Sequence, residues 1–529
     1  MTTAPRRPNV LVIQADQFRW DCLGAAGNPD VQTPNLDRLA ADGALFTNAF
    51  CPLPVCTPSR YSMLSGLYVH QHGAWTNHST LPPALDTFPR SLRRAGYRTA
   101  AVGKMHFTPT YLDVGYDHMA LAEQHGPGRY HDDYHRELRE AGLAPVLDLL
   151  DQEEHLRTQA PASYWETYGS GRSDLPEEWH STTWIGERAV QELKGWTDSG
   201  SHLLHVSFVK PHHPFDPPAG WDEMYHPDDL SPLPGWTERV PEADRGHQHG
   251  YFDYGGLTEP VLRRVMAHYY ATISQLDHQI GRLLDQLQAS GLYDDTLIVF
   301  TSDHGEYLGF HHLLLKWGPM YDPVAKVPLI VKFPVGSTGT SRRAEVDDAL
   351  ISLVDIAPTV LSACGVAPAQ PLPGLDLAEP RVVRRCVFAE NRTGDGIVFM
   401  ARSATHKLLL HSGVSGALTD AASAGTPAGV HGLSPATTSA AARGSRDALY
   451  ALMTDPFELH NRIDDHAHAD QAEHLRSELA NWMLFETPTP TYLDENAPQI
   501  DAENVPPEDQ TALADHRTYF ESKATGQSS

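Results

Sequence analysis

The run Thr296-Leu297-Ile298-Val299-Phe300-Thr301 ends in Ser302-Asp303-His304-Gly305. A short apolar, β-branched stretch closed by a polar turn reads as a buried strand. Three other stretches repeat the pattern: Asn9 to Ile13 ends at Asp16-Gln17, Thr99 to Val102 leads into Gly103-Lys104-Met105-His106, and Leu203 to Val209 leads into Lys210-Pro211-His212-His213-Pro214. Helical patterns lie between them. In one, Ile273, Leu276, Ile280, Leu283 and Leu287 recur at spacings of three and four, and Gly291 stands where a C-terminal cap belongs. The alternation predicts an α/β fold, a large, mostly parallel sheet sandwiched by helices. Such sheets bind ligands beyond the carboxyl ends of their strands, so four polar clusters are expected to converge on one crevice.

Asp16, Gln17, Asp303 and His304 are oxygen and imidazole donors of the kind that hold a divalent cation. Ordinary turn and cap chemistry accounts for any one Asp at a strand end. It does not account for Asp-Gln and Asp-His both placed there. An imidazole among the ligands weakens the case for calcium alone and leaves manganese or a similar ion open.

A fifth cluster is Cys56-Thr57-Pro58-Ser59-Arg60, followed by Tyr61-Ser62-Met63-Leu64-Ser65-Gly66. A lone cysteine is more often a small buried hydrophobe than a reactive group. Here Pro58 suits the first turn of a helix, which puts Cys56 at a helix N-terminus, where free N–H groups and the dipole favour an anion. Arg60, one turn on, can orient the nucleophile or the anion with its planar fork. The run resembles the C-x-P-S-R signature of the type I, formylglycine-dependent sulfatases of the alkaline phosphatase superfamily. Asn9-Val10-Leu11, the stretch from Thr33 to Ala40 and the stretch from Asp355 to Val360 look like further landmarks of that family. The likeness covers about the first 370 residues and, more loosely, the rest.

The resemblance implies a function and a site. Cys56 becomes formylglycine (3-oxoalanine), made by a formylglycine-generating maturation enzyme, and its hydrate is the nucleophile. Asp16, Gln17, Asp303 and His304, with the group on Cys56, hold one divalent metal, Ca2+ by family and Mn2+ as the alternative. Lys104 and His106 resemble the G-K-x-H pair: the lysine neutralises charge on the transferring group and the histidine moves a proton. His212, with His213 as its neighbouring alternative, matches the histidine that protonates the leaving alcohol. Lys316 matches the lysine that contacts the anion and bridging oxygen, and Asn77 is a candidate for the pocket wall. The expected reaction is in-line attack on sulfur, release of the alcohol, and expulsion of sulfate from a covalent hemiacetal, a step an unmodified cysteine cannot complete. Phosphonate monoester hydrolases and phosphodiesterases share these groups and are the alternative; choline sulfatases are further relatives. Alkaline phosphatases use Ser or Thr with two metals, against which Cys56 argues. A non-catalytic binder of sulfated ligands would need lost site residues, and none is missing.

The composition fits without deciding. With 40 basic and 67 acidic residues the 529-residue chain carries a formal charge of −27. No nucleic-acid partner is expected of so acidic a protein, and a small anionic ester substrate needs a local positive pocket. Cys22, Cys51, Cys56, Cys364 and Cys386 make no paired framework. No run is long enough for a membrane span and no signal-peptide h-region follows Arg6 and Arg7, so a cytoplasmic setting is the expectation. Residues 1–375 read as the catalytic α/β domain and 376–529 as a smaller α+β domain. In the latter, Val382 to Glu390, Ile397 to Ala401, His406 to His411 and the stretch around Leu449 read as strands, with a covering helix over about 466–485. Residues 412–445 read as a flexible insertion and about 488–529 as a tail that wraps a neighbour in a homo-oligomer or hangs free. The stretch 108–200, with His118, His125, Tyr130, His131, Tyr134, His135, Trp165 and Trp179, is expected to shape the substrate pocket or to form a surface insertion.

Overall fold

Eight strands form the central sheet of the computed structural model: β1 (Asn9–Ala15), β2 (Ala44–Phe50), β3 (Arg98–Gly103), β4 (His118–Leu121), β5 (His202–Ser207), β6 (Thr296–Ser302), β7 (Lys326–Lys332) and β8 (Glu345–Ser352). The structure describes residues 7–124, 132–143, 162–197, 201–247, 252, 254–316, 318–379, 384–393, 396–412 and 447–488. The strand order is β4-β3-β5-β1-β6-β7-β2-β8. All neighbours pair in parallel except at β7, which runs antiparallel to both β6 and β2. The sheet is thus mostly parallel, and the segment that reverses direction between β6 and β7 carries Lys316.

Alternation along the strands divides the core into two layers. Leu11 and Ile13 of β1 and Ile298 and Phe300 of β6 face one cluster, which includes Ile273, Leu276, Ile280, Leu283 and Leu287 of the helix Glu259–Ala289. Val10, Val12, Leu297 and Val299 face the other, with Tyr61, Met63 and Leu64 of the helix Cys56–Ser65. The long helix stops as the sequence indicates: Gly291 is left-handed at φ 71°, and Leu292 N–H bonds back to the carbonyl of Leu287 at 2.9 Å.

Register delivers the polar clusters to one edge. Ala15 lies opposite Ser302, Gln14 opposite Ser207, and Gly103 opposite Ser207. The residues that follow, Asp16, Asp303, Lys104 and the His212 loop, therefore leave the sheet at one level, from the contiguous strands β3, β5, β1 and β6.

A second sheet is antiparallel, in the order β12-β11-β10-β9, from β9 (Val387–Thr393), β10 (Gly396–Arg402), β11 (His406–His411) and β12 (Ala448–Ala451). Its first strand starts at Val387, later than the expected Val382, and residues 380–383 lie outside the described residues. One face takes Ala472, Leu475 and Leu479 of the helix Ala469–Asn481, with Trp482 stacked on Phe388 at 4.7 Å. The other packs Val387, Ala389, Val398, Met400 and Leu409 on Tyr307, Phe310, Leu313 and Met320, in the segment that carries Lys316. Leu377 and Ala378, just past the expected change of domain at 375/376, still pack in the core of the large unit. Most of the expected insertion (413–446) and tail (489–529), and His125, Tyr130 and His131, lie outside the described residues. Among the described residues no helix is long and apolar enough to cross a membrane.

Candidate active site

The helix Cys56–Ser65 is buried along its whole length and begins at the cysteine. Its N-cap residue, Val55, has no side chain to satisfy the first N–H groups. Asn77 supplies the acceptor instead, with Oδ1 3.1 Å from Thr57 N, while Thr57 Oγ1 donates to the carbonyl of His106 at 2.8 Å. Asn77 and His106 thus join the cluster through the backbone end of the Cys56 helix. Gly66, left-handed at φ 70°, ends it by donating to Ser62 O at 2.8 Å.

Around the sulfur the strand-end residues close in. Lys316 Nζ is 2.8 Å from Cys56 Sγ, His304 Nε2 3.3 Å, and Asp16 Oδ1 3.8 Å. Lys316 Nζ also lies 3.0 Å from His212 Nε2 and 3.1 Å from His304 Nε2. Lys104 Nζ pairs with Asp16 Oδ2 at 2.8 Å. Arg60 spends its fork inside the cluster: Nε on Asp303 (2.8 Å), Nη2 on Asp16 (3.0 Å), and Nη1 on Ser207 Oγ (2.8 Å) and the Lys104 carbonyl. It fixes the two carboxylates as much as it supplies charge. Every one of these side chains is buried.

Protonation follows from the geometry. His212 Nδ1 donates to the carbonyl of His213 at 2.6 Å, which leaves Nε2 as an acceptor facing Lys316. Burial, with Lys316 and Lys104 nearby, pushes the His212 pKa well below its ordinary value, so the ring is neutral. Burial disfavours the Lys316 ammonium, yet Cys56, Asp16 and Asp303 raise its pKa above the usual value. Burial would also raise Asp16, but Lys104, His212, Lys316 and Arg60 hold its carboxyl well below the usual range. The Cys56 thiol is pushed up to about 11 by burial and Asp16, against the pull of Lys316 and Lys104. His213 turns elsewhere, into a cage of Tyr164, Phe215 and Phe252 with ring centroids 5.4–5.9 Å away. Of the two histidines, His212 is the one that meets Lys316, the lysine on Cys56.

Asp16, Cys56, Asp303 and His304 form a buried group whose ligand atoms all lie within 4.8 Å of one another. The donors suit a hard or borderline divalent cation. His304 Nδ1 donates to the carbonyl of Gly305 at 2.9 Å, leaving Nε2 free to ligate, as metal-binding histidines are commonly held. Gln17 donates its backbone N–H to Asp303 Oδ1 at 3.1 Å, and its buried Oε1 has no hydrogen-bond partner among the described residues. A buried carbonyl oxygen without a partner, on the residue that follows Asp16 and bonds Asp303 through its backbone N–H, is an acceptor open to a cation, so the residues fit a metal.

Sequence reading missed the residues that hold these groups. Glu123 accepts from the N–H groups of Met105 and His106 at 2.8 and 3.0 Å. Glu306 accepts from Gln17 Nε2 and from the N–H groups of Leu308 and Leu315. Lys210, buried between β5 and His212, donates to the carbonyl of Pro214 at 2.7 Å. Glu123 stands just past β4, a strand whose short, mixed sequence gives little periodic signal. Glu306 stands two residues beyond His304, where one more step along the motif would have reached it.

The Sulfatase family model matches residues 8–366, so the chain belongs to the sulfatase family, hydrolases of the alkaline phosphatase superfamily. An arylsulfatase of Clostridium perfringens is 32% identical over 395 residues, covering 70% of this chain and 78% of its own length. A multifunctional alkaline phosphatase superfamily protein of Trinickia caryophylli is 31% identical, covering 68% of this chain and 74% of its own. Among solved structures, the phosphonate monoester hydrolase of Agrobacterium radiobacter superposes with a TM-score of 0.71 at 26% identity, over 90% of this chain and 95% of the other.

Proposed function

We propose that this sulfatase hydrolyses a sulfate monoester to an alcohol and inorganic sulfate, with the oxidised side chain of Cys56 as nucleophile. The observation that carries the reading is the setting of Cys56. Lys316 touches it, Lys104 and Arg60 stand behind Asp16, and these three cations outnumber the two carboxylates of the cluster. In a chain of net charge −27 that is a local anion site. A thiol titrating at about 11 is a poor nucleophile at neutral pH. Oxidised to formylglycine and hydrated, residue 56 supplies two hydroxyl groups, one to attack sulfur and one whose deprotonation releases sulfate. A cation held by Asp16, Gln17, Asp303 and His304, Ca2+ before Mn2+, supplies Lewis acidity at the transferring group.

The remaining roles fall to the other residues that the resemblance picks out. Lys104 and Lys316 balance charge on the sulfuryl oxygens. Lys316 carries the proton that neutral His212 lacks, which supports it as the group that protonates the departing alcohol, with His212 Nε2 orienting it. Arg60 bridges Asp16 and Asp303 and helps hold the Asp16 carboxyl in its ionised form. His106, its backbone clamped by Glu123, takes the proton of the second hydroxyl. Asn77 holds the helix end and one wall of the pocket.

One second reading has an observation in its favour: hydrolysis of a phosphonate monoester, from the likeness to the Agrobacterium enzyme. A phosphonate monoester anion has the charge and tetrahedral shape of a sulfate ester. Two measurements separate the readings: the mass of the peptide containing Cys56, from cells with a maturation enzyme, and the rates on an aryl sulfate and an aryl phosphonate monoester. An aldehyde with the sulfate ester faster supports the proposal, and the reverse order of rates moves it to phosphonates. An intact thiol after maturation would remove the nucleophile and leave a binder of sulfated ligands.

A further inference from the structure

Glu306 is fully buried, and both its oxygens are engaged. Oε1 accepts from the N–H groups of Leu308, at 3.0 Å, and Leu315, and Oε2 accepts from Nε2 of Gln17. N–H donors face both oxygens, so both act as acceptors, and Glu306 favours one of the two ways a glutamine amide can face. With its NH2 held by Glu306, Gln17 must turn Oε1 the other way, and that oxygen is the buried one without a partner among the described residues. Leu315 is left-handed at φ 66° and immediately precedes Lys316. Gln17 is left-handed too, at φ 63°. One carboxylate thus meets two residues in the left-handed region, Leu315 through its backbone N–H and Gln17 through its side-chain amide.

We propose that Glu306 is a positioning residue that sets the amide of Gln17 with its carbonyl oxygen toward the cation and ties that ligand to the backbone carrying Lys316. The inference rests on the cation site proposed above. Replacing Glu306 by glutamine keeps the shape but changes the logic. The new side chain must give its carbonyl to Leu308 and Leu315 and point its NH2 at Gln17. Gln17 then answers with its own carbonyl and presents an NH2 to the cation, which cannot ligate. Putting a carboxylate at position 17 in the same protein repairs this, because a carboxylate accepts on both sides.

The test is a double-mutant cycle read as cation affinity. Ca2+ and, separately, Mn2+ are titrated by calorimetry into the chelator-stripped, matured full-length protein. Glu306→Gln is expected to raise Kd by about 10- to 100-fold. Gln17→Glu alone gains nothing despite its added charge, because it faces Glu306. The Gln17→Glu, Glu306→Gln pair returns to within about threefold of the parent. A purely structural Glu306 would lower the thermal midpoint of the metal-free protein and would not be rescued. A parent-like Kd for Glu306→Gln, or a pair that binds no better than it, overturns the proposal. If Glu306→Gln does not fold, Gln17→Glu decides: binding tighter than the parent overturns the proposal, and binding no tighter supports it. A parent that binds neither cation overturns this proposal together with the cation site itself.

Discussion

Cys56 is surrounded by groups that would activate a thiol elsewhere, yet burial and Asp16 win over Lys316 and Lys104 and its pKa rises. The sign is clear: at any pH below about 11 the thiol form dominates. Protein made without a maturation enzyme is therefore expected to show no turnover of an aryl sulfate from about pH 6 to 9, whereas turnover there would make the thiolate the nucleophile. A second expectation separates Lys316 from His212. A general acid matters most when the leaving group is poor, so Lys316→Met should cost about 100-fold or more on an alkyl sulfate and much less on 4-nitrophenyl sulfate. His212→Ala, which removes an orienting acceptor, should cost both esters alike. The opposite pattern in kcat across the two substrates would return the acid role to His212.

At the scale of elements, what was legible follows from what a strand needs. β1, β3, β5 and β6 are buried almost throughout, so they read as mainly apolar runs, and their polar sequels mark the carboxyl edge. β2 and β8 lie towards the far edge with half-exposed residues, β4 is four residues long, and β7 is interrupted by Pro328, so none has that signature. The site divides the same way. Residues carried on strand ends were visible, and the braces Glu123, Glu306 and Lys210 were not, because the partners of each include backbone N–H or carbonyl groups. Backbone partners leave no mark in a sequence. Gly103 shows how tightly the elements meet: at φ 98° it ends β3, and a Cβ there would lie 2.0 Å from the carbonyl oxygen of Ser207 in β5. Gly103→Ala must part the two strands beneath Lys104, at a cost on the order of 3 kcal/mol. The expected outcome is a lower thermal midpoint with a larger fall in kcat than any surface alanine produces. An unchanged midpoint would mean that the strand ends yield freely.

Over the whole molecule, the small sheet buttresses the site from behind. Buried Lys407 on β11 pairs with Asp322 at 2.5 Å and Glu458 at 2.6 Å, and donates to the carbonyl of Met320 at 3.1 Å, anchoring the far end of the segment that holds Lys316. A second tie can be read by pH. His70, in the turn of helix after the Cys56 helix, bonds through Nδ1 to Glu390 on β9 at 2.9 Å and through Nε2 to the carbonyl of Thr487 at 2.8 Å. Each nitrogen faces an oxygen, so the doubly protonated ring satisfies both bonds. Burial lowers the His70 pKa, but the Glu390 carboxylate and the Thr487 carbonyl more than offset it, and the folded value lies above the ordinary one. A raised folded pKa means that the folded state holds its proton more tightly than the unfolded chain does. The stabilisation is therefore complete below the unfolded value, near pH 6.5, and is lost as pH rises through the folded one. Thermal midpoints of the parent and of His70→Gln, compared across this range, should differ most at about pH 6 and converge at higher pH. A gap that stays constant would show that His70 contributes packing alone, and that the small sheet is held on by Lys407 and its apolar faces.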